Sequence, residues 1–451
     1  MKKAQEFNAS DDAIRHAHTE HYIQSWSVQG AAEPLVIAGG KGCWFWDTAG
    51  KRYLDFKSQL VNLNLGFQHP DIVEAIKQAE KLCYIGPGMA NDTRSELATR
   101  MAEITPGNLS RTFFTTAGAD ANENAVRLAR HFTGRRKIIA RYRSYHGATA
   151  GGLTLSGDPR HWFSEAGGGG GDVVRILDPY TYRCPAGHPT PCPVCSGAPH
   201  LEEILTYENP ASVAAVLLET VVGTNGIIYP PDGYLRAIRE TCTKHGILLI
   251  LDEIMTAFGR TGKWFACDHW EVVPDILCVA KGINSGYVPL GAMTVSQEIS
   301  QWLKNHSFPG GLTYAGHPLA CASAVAAIKV YERDNIIAQA AKRGETLANI
   351  LTALAKKHPS IGDVRGRGLF FGLETVKNRK TREPLVPFNA KNEAALPVKK
   401  IIKFAMGEGL YISAYSNIIR LAPPLIISPE ELNFAGQVLD RALDIADEYV
   451  E

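Results

Sequence analysis

Two short stretches decide the reading of this chain: ILLILD at residues 247–252 and ILCVAK at residues 276–281. Each is an unbroken apolar run that ends in one charge, Asp252 in the first and Lys281 in the second. Five apolar residues without polar alternation describe a strand covered on both faces, as in a parallel sheet packed between helices. The same pattern recurs outward from these two runs, in RTFFT at 111–115, KIIA at 137–140 and VAAVLL at 213–218. Between the runs lie helix-length amphipathic stretches at 71–82, 94–104, 120–131 and 235–245. Strands alternating with helices predict a mostly parallel α/β sheet, whose ligands gather at the carboxyl ends of the strands.

The flanks read differently. Residues 42–56, GCWFWDTAGKRYLDF, predict a hairpin with its turn at Thr48-Ala49-Gly50. Beyond Pro318 come an Ala-rich helix to about residue 331, a second helix over 336–357, and short strands at 361–368, 370–375 and 419–421. A closing helix covers 429–449. The expected organisation is a large α/β domain at 70–325 and a smaller α+β domain built from 1–69 and 326–451. The run Gly167–Gly171 is expected to be a loop inside the large domain.

Composition removes whole classes of function. Lys and Arg number 47 against 46 Asp and Glu, a formal net charge of +1. That balance lacks the basic excess that phosphate neutralisation on nucleic acid requires. An apolar content of 45% is too high for an intrinsically disordered chain. No apolar run approaches the ~18 residues of a membrane span, and no apolar segment follows the N-terminal lysines as in a signal peptide. Nine cysteines without a disulfide-like framework fit a reducing compartment. The expectation is a cytoplasmic globular protein.

Either charge at a strand end has an ordinary explanation, since strands must surface somewhere. Both together, on consecutive strand ends facing one crevice, define a chemistry. A lysine amine desolvated at such a place has a lowered pKa and forms a Schiff base with an aldehyde. An aspartate facing the same site keeps a pyridine nitrogen protonated, which makes the ring an electron sink; this is the Lys–Asp pair that pyridoxal phosphate (PLP) needs. A phosphate cradle is supplied by TTAGAD at 115–120, where Gly118 opens a helix whose N–H groups and dipole face an anion. Nucleotide motifs fail: GRTGK at 259–263 is followed by Trp264, not by Ser or Thr. Tyr145, in YHG after another strand, could stack on a planar cofactor or belong to the core.

These residues sit in a series of longer stretches: WDTAGKRYLDF (46–56), FFTTAGADANENAVRLAR (113–130), YRSYHGAT (142–149), ILDEIMTAFGRTG (250–262), ILCVAKGINSGYVPLGA (276–292), LTYAGHPLACA (312–322), VRGRGLFFGLE (364–374) and IIRLAPPL (418–425). In order and spacing they resemble the class III PLP-dependent aminotransferases of fold type I, from about Trp26 to the C-terminus. SWSVQG at 25–30 and RSYHGAT are most similar to the ω-aminotransferase branch, which includes taurine–pyruvate and β-alanine–pyruvate enzymes. The resemblance implies a seven-stranded, mostly parallel sheet, PLP as cofactor, and amino transfer from a primary amine or ω-amino acid to a 2-oxo acid. Pyruvate is the expected acceptor, in a ping-pong reaction through pyridoxamine phosphate. Lys281 would carry the cofactor and move a proton, Asp252 would pair with the pyridinium nitrogen, and Tyr145 and Ile254 would cover the two ring faces. Gly118 and Ala119 match a Gly-Ser phosphate-binding pair, with alanine here leaving only the backbone contact. His146 and Glu219 fall beside the ring. Thr313 would reach the phosphate of a neighbouring subunit, so a homodimer is expected.

For substrate, Arg420 matches the arginine that binds an α-carboxylate and swings aside for donors lacking one. In 4-aminobutyrate-type relatives a glutamate five residues after the Glu219 position pairs with that arginine; here it is Thr224, which weakens that reading. Leu60, Val61, Trp26, Tyr84 and Ile85 are the expected pocket neighbours. No metal is assigned to the reaction site. A PLP-dependent aminomutase or racemase on the same fold is the alternative, decarboxylation a further departure, and a non-catalytic PLP- or zinc-binding module the remote one. Cys184, His188, Cys192 and Cys195 lie within 12 residues and suit a zinc site, free thiols or a disulfide. Finally, 42 glycines exceed the usual ~7%, and Gly118, Gly147, Gly282, Gly286, Gly291 and Gly316 place part of the excess at turns around the expected site.

Overall fold

A computed structural model describes residues 10–31, 34–165, 172–187 and 192–451; the Gly167–Gly171 run and His188 lie outside the described residues. Strands β1 (Ile37–Lys41), β2 (Trp44–Asp47) and β3 (Arg52–Asp55) form an antiparallel ribbon. Its β2–β3 turn is the expected Thr48–Gly50, with Gly50 at φ +82°, where a side chain would strain the backbone.

The next seven strands are β4 (Leu109–Thr115), β5 (Lys137–Arg141), β6 (Val173–Ile176), β7 (Val213–Glu219), β8 (Leu248–Asp252), β9 (Ile276–Val279) and β10 (Gly291–Ser296). They make one sheet in the order β4-β10-β9-β8-β7-β5-β6. Only β10 runs against its neighbours; β9, β8, β7, β5 and β6 pair in parallel. The mostly parallel seven-stranded α/β sheet is therefore present. Every residue of β7 and of β9 is buried, which is why these strands read as unbroken apolar runs. Each fully covered Leu or Ile, such as Leu217, Leu249 and Leu277, contributes about 1.5–3 kcal/mol by leaving water.

Two of these strands escaped the sequence reading. Strand β10 (GAMTVS) is made of small residues, which pack tightly but carry little hydrophobic signal, and β6 (VVRI) is only four residues long. The helix expected over 71–82 is two pieces, Pro70–Ile76 and Gln78–Lys81. At Lys77 the N–H turns to Glu74 and Ala75 in a tighter pattern than the α-helix. The helices Ile336–Lys357 and Pro429–Asp447 follow the expected spans closely.

A third sheet joins β11 (Ile361–Arg367), β12 (Phe370–Asn378), β15 (Ser413–Tyr415) and β16 (Ile418–Leu421), with β13 (Glu383–Pro384) on the side of β12. Strand β14 (Leu410–Tyr411) instead pairs in parallel with β3, tying the C-terminal part of the chain to the N-terminal ribbon. On that pairing, and because β4–β10 all fall between residues 70 and 325, we propose the division into a large domain at 70–325 and a smaller one from 1–69 and 326–451.

One buried side chain ties several of these pieces together. The Arg260 guanidinium, fully buried, donates to the carbonyls of Leu369 (3.0 Å) and Pro423 (2.5 Å), to Ser58 Oγ (3.1 Å) and to Asn64 Oδ1 (2.8 Å). Replacing it with an apolar side chain leaves those acceptors dry and unpaired, at about 1–3 kcal/mol each where no water enters. Arg260→Met is expected to lose at least about 2 kcal/mol in urea unfolding; an unchanged midpoint would contradict that role.

Candidate active site

The parallel register of β7, β8 and β9 assembles the charges. Glu219 and Asp252 stand directly opposite each other on β7 and β8, and Asp252 stands opposite Cys278 on β9. Three residues later the chain turns into the short helix Lys281–Ile283. Lys281 takes φ +48° there, a left-handed conformation that non-glycine residues adopt at a cost of about 1–3 kcal/mol. Burial pushes its amine below the ordinary lysine value, the charges of Asp252 and Glu219 oppose that shift, and Arg160 adds to it.

Asp252 is fixed on three sides. Its Oδ2 accepts from Asn122 Nδ2 (2.7 Å) and lies 2.8 Å from His146 Nδ1, while Oδ1 accepts the Ile254 N–H (3.0 Å). Asn122 and His146 are themselves buried. Glu219 accepts the Tyr145 N–H on Oε1 (3.0 Å) and the Gly223 N–H on Oε2 (2.8 Å). Burial first, then the adjacent Asp252 charge, push its carboxyl up to about 7.

The helix Gly118–Thr133 begins immediately beyond β4 with no side chain capping it, so its first N–H groups and positive dipole end are available to an anion. A Cβ on Gly118 would sit 2.5 Å from Ile254 Cδ1. Only glycine therefore lets that backbone lie against the aliphatic side chain. Gly147 (φ +132°) meets the same constraint against Ala119, at 2.5 Å.

A cavity of about 340 Å³ opens over these groups. Lys281 and Tyr145 line it together with Trp26, Leu60, Val61, Thr224, Arg160 and Arg420. Its rim is strained: Ser58, Gln59 and Val61 all have positive φ, as does Trp26. Arg420 is half-buried, and its guanidinium donates to the Thr224 carbonyl (3.3 Å) and Ser413 Oγ (3.2 Å). Among the described residues no carboxylate pairs with it; burial, reinforced by Arg160, pushes it down to about 10. Arg160 is bound to Asp158 through its Nε (2.9 and 3.1 Å) and lies 3.7 Å from the centre of the Tyr145 ring and 5.3 Å from that of Trp26.

The structure thus brings together most of the residues singled out from the sequence, and not all. His146 stands behind Asp252 rather than in the cavity. Tyr84 and Ile85 do not line this cavity: Tyr84 donates to the Thr313 carbonyl (2.7 Å) and packs near Tyr314 and His317 on an exposed face. Sequence reasoning missed Arg160, Asn122 and the Asp158 clamp. Asn122 carried a signal, as a polar residue on the apolar face of its helix. Arg160 follows a Gly-Asp-Pro turn, which marks a loop but not where the loop leads.

These features fit PLP: a half-buried amine of lowered pKa facing the cavity, a carboxylate held by three donors, and an uncapped helix end against which no side chain fits at Gly118. Such a sheet and site define a Schiff-base lysine enzyme that holds a phosphorylated pyridine cofactor. The chain belongs to the class III aminotransferases: the family described as Aminotransferase class-III matches residues 26–443. It is 40% identical to the taurine:2-oxoglutarate aminotransferase of Bifidobacterium kashiwanohense, solved in complex with PLP and glutamate, covering 98% of this chain and 99% of that one at a TM-score of 0.93. It is 34% identical to a thermostable (S)-enantioselective ω-transaminase of Thermomicrobium roseum, covering 98% and 100%, TM-score 0.90. It is 33% identical over 431 residues to the taurine–pyruvate aminotransferase of Bilophila wadsworthia, 92% of this chain and 93% of that one. The protein is a PLP-dependent aminotransferase of fold type I.

The raised Glu219 carboxyl has a pH signature. A carboxyl whose folded pKa lies above its unfolded value stabilises the fold fully below the unfolded value of about 4.5, and that contribution is lost as pH rises through about 7. In urea unfolding of the cofactor-free chain near pH ~5 and ~8, Glu219→Gln should lose less stability with rising pH than the unsubstituted protein. Equal losses would contradict the shift.

Proposed function

We propose that the amino donor is a primary amine bearing an acid group at its far end, of the taurine or β-alanine kind, and that the acceptor is a 2-oxo acid, pyruvate first. The observation that carries this is the pair of guanidiniums, Arg420 and Arg160, lining the cavity into which Lys281 opens. A half-buried arginine without a carboxylate partner favours an anion, and a charge-assisted bond to carboxylate or sulfonate is worth about 1.5–3 kcal/mol. Thr224 offers Arg420 only a backbone carbonyl, so the guanidinium remains available to the substrate.

The cofactor, when bound, supplies an electron sink and carries the amino group between donor and acceptor in a ping-pong cycle. The chain supplies the rest. Asp252, held by Asn122 and His146, would face the pyridine nitrogen, and the helix end at Gly118 and Ala119 would hold the phosphate. Tyr145 and Ile254 would confine the ring. Lys281, an amine of lowered pKa in a dry site, takes and returns the proton at the substrate carbon that bears nitrogen. The mutase and racemase readings need no second substrate, and relatives named as aminotransferases weigh against them. A homodimer is part of the proposal: Thr313, Tyr84 and Tyr314 form an exposed patch that a second copy would cover, bringing Thr313 to its neighbour's phosphate. A cytoplasmic setting is also proposed. Among the described residues no helix is long and apolar enough to cross a membrane, and no disulfide joins the nine cysteines.

A second acceptor, 2-oxoglutarate, is favoured by Arg160. A dicarboxylate would use both guanidiniums, whereas pyruvate needs one.

The test is a pair of half-reactions. Taurine and β-alanine should each bleach the visible absorbance of the isolated holoenzyme without acceptor, and a 2-oxo acid should restore it. Arg420→Met should raise KM for acid-bearing substrates about 10- to 100-fold and leave an uncharged arylalkylamine little affected. Arg160→Met should lower kcat/KM for 2-oxoglutarate more than for pyruvate. Reaction with arylalkylamines alone, indifferent to Arg420, would overturn the acid-donor reading.

A further inference from the structure

Outside the substrate cavity, three sulfurs converge. Cys184 Sγ lies 3.2 Å from Cys192 Sγ and 3.8 Å from Cys195 Sγ, and the three sulfurs all fall within 4.8 Å of one another. Cys192 and Cys195 are 3% and 2% exposed, Cys184 is half-buried, and Leu177, Ala186 and Val194 pack around them. The Cys195 N–H donates to Cys192 Sγ (3.2 Å) across a Cys-x-x-Cys turn, which holds the two sulfurs on one side of the chain.

We propose that Cys184, Cys192 and Cys195 bind a zinc-class divalent cation in a structural site separate from the reaction centre. Zinc–thiolate bonds of about 2.3 Å in a tetrahedron place the sulfurs about 3.8 Å apart. The Cys184–Cys195 distance already has that value, and the Cys184–Cys192 distance needs to open by only ~0.6 Å. On binding, each thiol gives its proton to solvent as its sulfur bonds the metal. Three thiols and Zn²⁺ become a unit of net charge −1 plus three protons, with no change in oxidation state. A fourth donor completes the tetrahedron; His188 lies outside the described residues and is no part of the proposal.

The site would fasten the segment that precedes it. Asp178 accepts the Arg143 N–H (2.9 Å), two residues before Tyr145, and Tyr180 and Arg183 both bind Glu374 on β12. Strand β12 in turn pairs with β16, where Gly372 stands opposite Arg420. The three-sulfur cluster is thus linked through one short segment to the backbone on both sides of the substrate cavity.

The test uses the holoenzyme purified with reductant from zinc-supplemented cells. Elemental analysis should find about one zinc per chain, and X-ray absorption should show about three sulfurs at about 2.3 Å. A mercurial thiol reagent should release the metal, measured with a colorimetric chelator. Cys192→Ser and Cys195→Ser should lose the zinc and lower the thermal midpoint while keeping the cofactor's visible absorbance. If these variants do not fold, the sulfur shell and the mercurial release from the unsubstituted protein still decide. Zinc well below stoichiometry, a sulfur-free shell, or a disulfide between two of the three cysteines in the reductant-purified protein would overturn the proposal.

Discussion

The rest of the site depends on holding an amine and two carboxylates out of water at the ends of three adjacent parallel strands. Parallel register puts Glu219 beside Asp252, and the following strand delivers Lys281 after a strained turn. Neither carboxylate is tolerable there alone. Asp252 is surrounded by Asn122, His146 and the Ile254 N–H. Glu219, next to that charge, is pushed toward its neutral form. The desolvation that costs stability is the same effect that lowers the Lys281 amine and, in the proposed function, would prepare it to carry the cofactor and move a proton.

Around this charged floor, the cavity is shaped by residues from distant parts of the chain. Trp26 and the 58–61 rim come from the N-terminal region, Arg160 from a loop after β5, and Arg420 from β16. Arg260 knits the same regions together from below through four buried hydrogen bonds. Two guanidiniums lining one cavity with the Lys281 amine repel one another, and an acid-bearing substrate of the proposed kind would relieve that repulsion. On the proposed function, preference for acids and readiness of the lysine would be two consequences of one electrostatic arrangement.

Much of this was legible in the sequence, for a physical reason. Strands buried on both faces need unbroken apolar runs, so β7, β8 and β9 and the charges that end them stood out. Small-residue β10 and four-residue β6 carried no such pattern. The glycine turn that opens the helix at Gly118 was legible, and there a Cβ would meet Ile254. Arg160 was not, since what makes it functional is a loop conformation fixed by Asp158 and a long-range approach to Tyr145. Tyr84 and Ile85 show the converse: they were expected as pocket neighbours, whereas in a single chain Tyr84 turns outward to Thr313.

We propose that Lys281, and no other lysine, holds the cofactor at the ends of these strands. Borohydride reduction of the holoenzyme, followed by proteolysis and mass spectrometry, fixes the cofactor to whichever lysine carries it. A single modified peptide with the cofactor on Lys281 is expected. The label on Lys57, on another surface lysine, or on no lysine would contradict it.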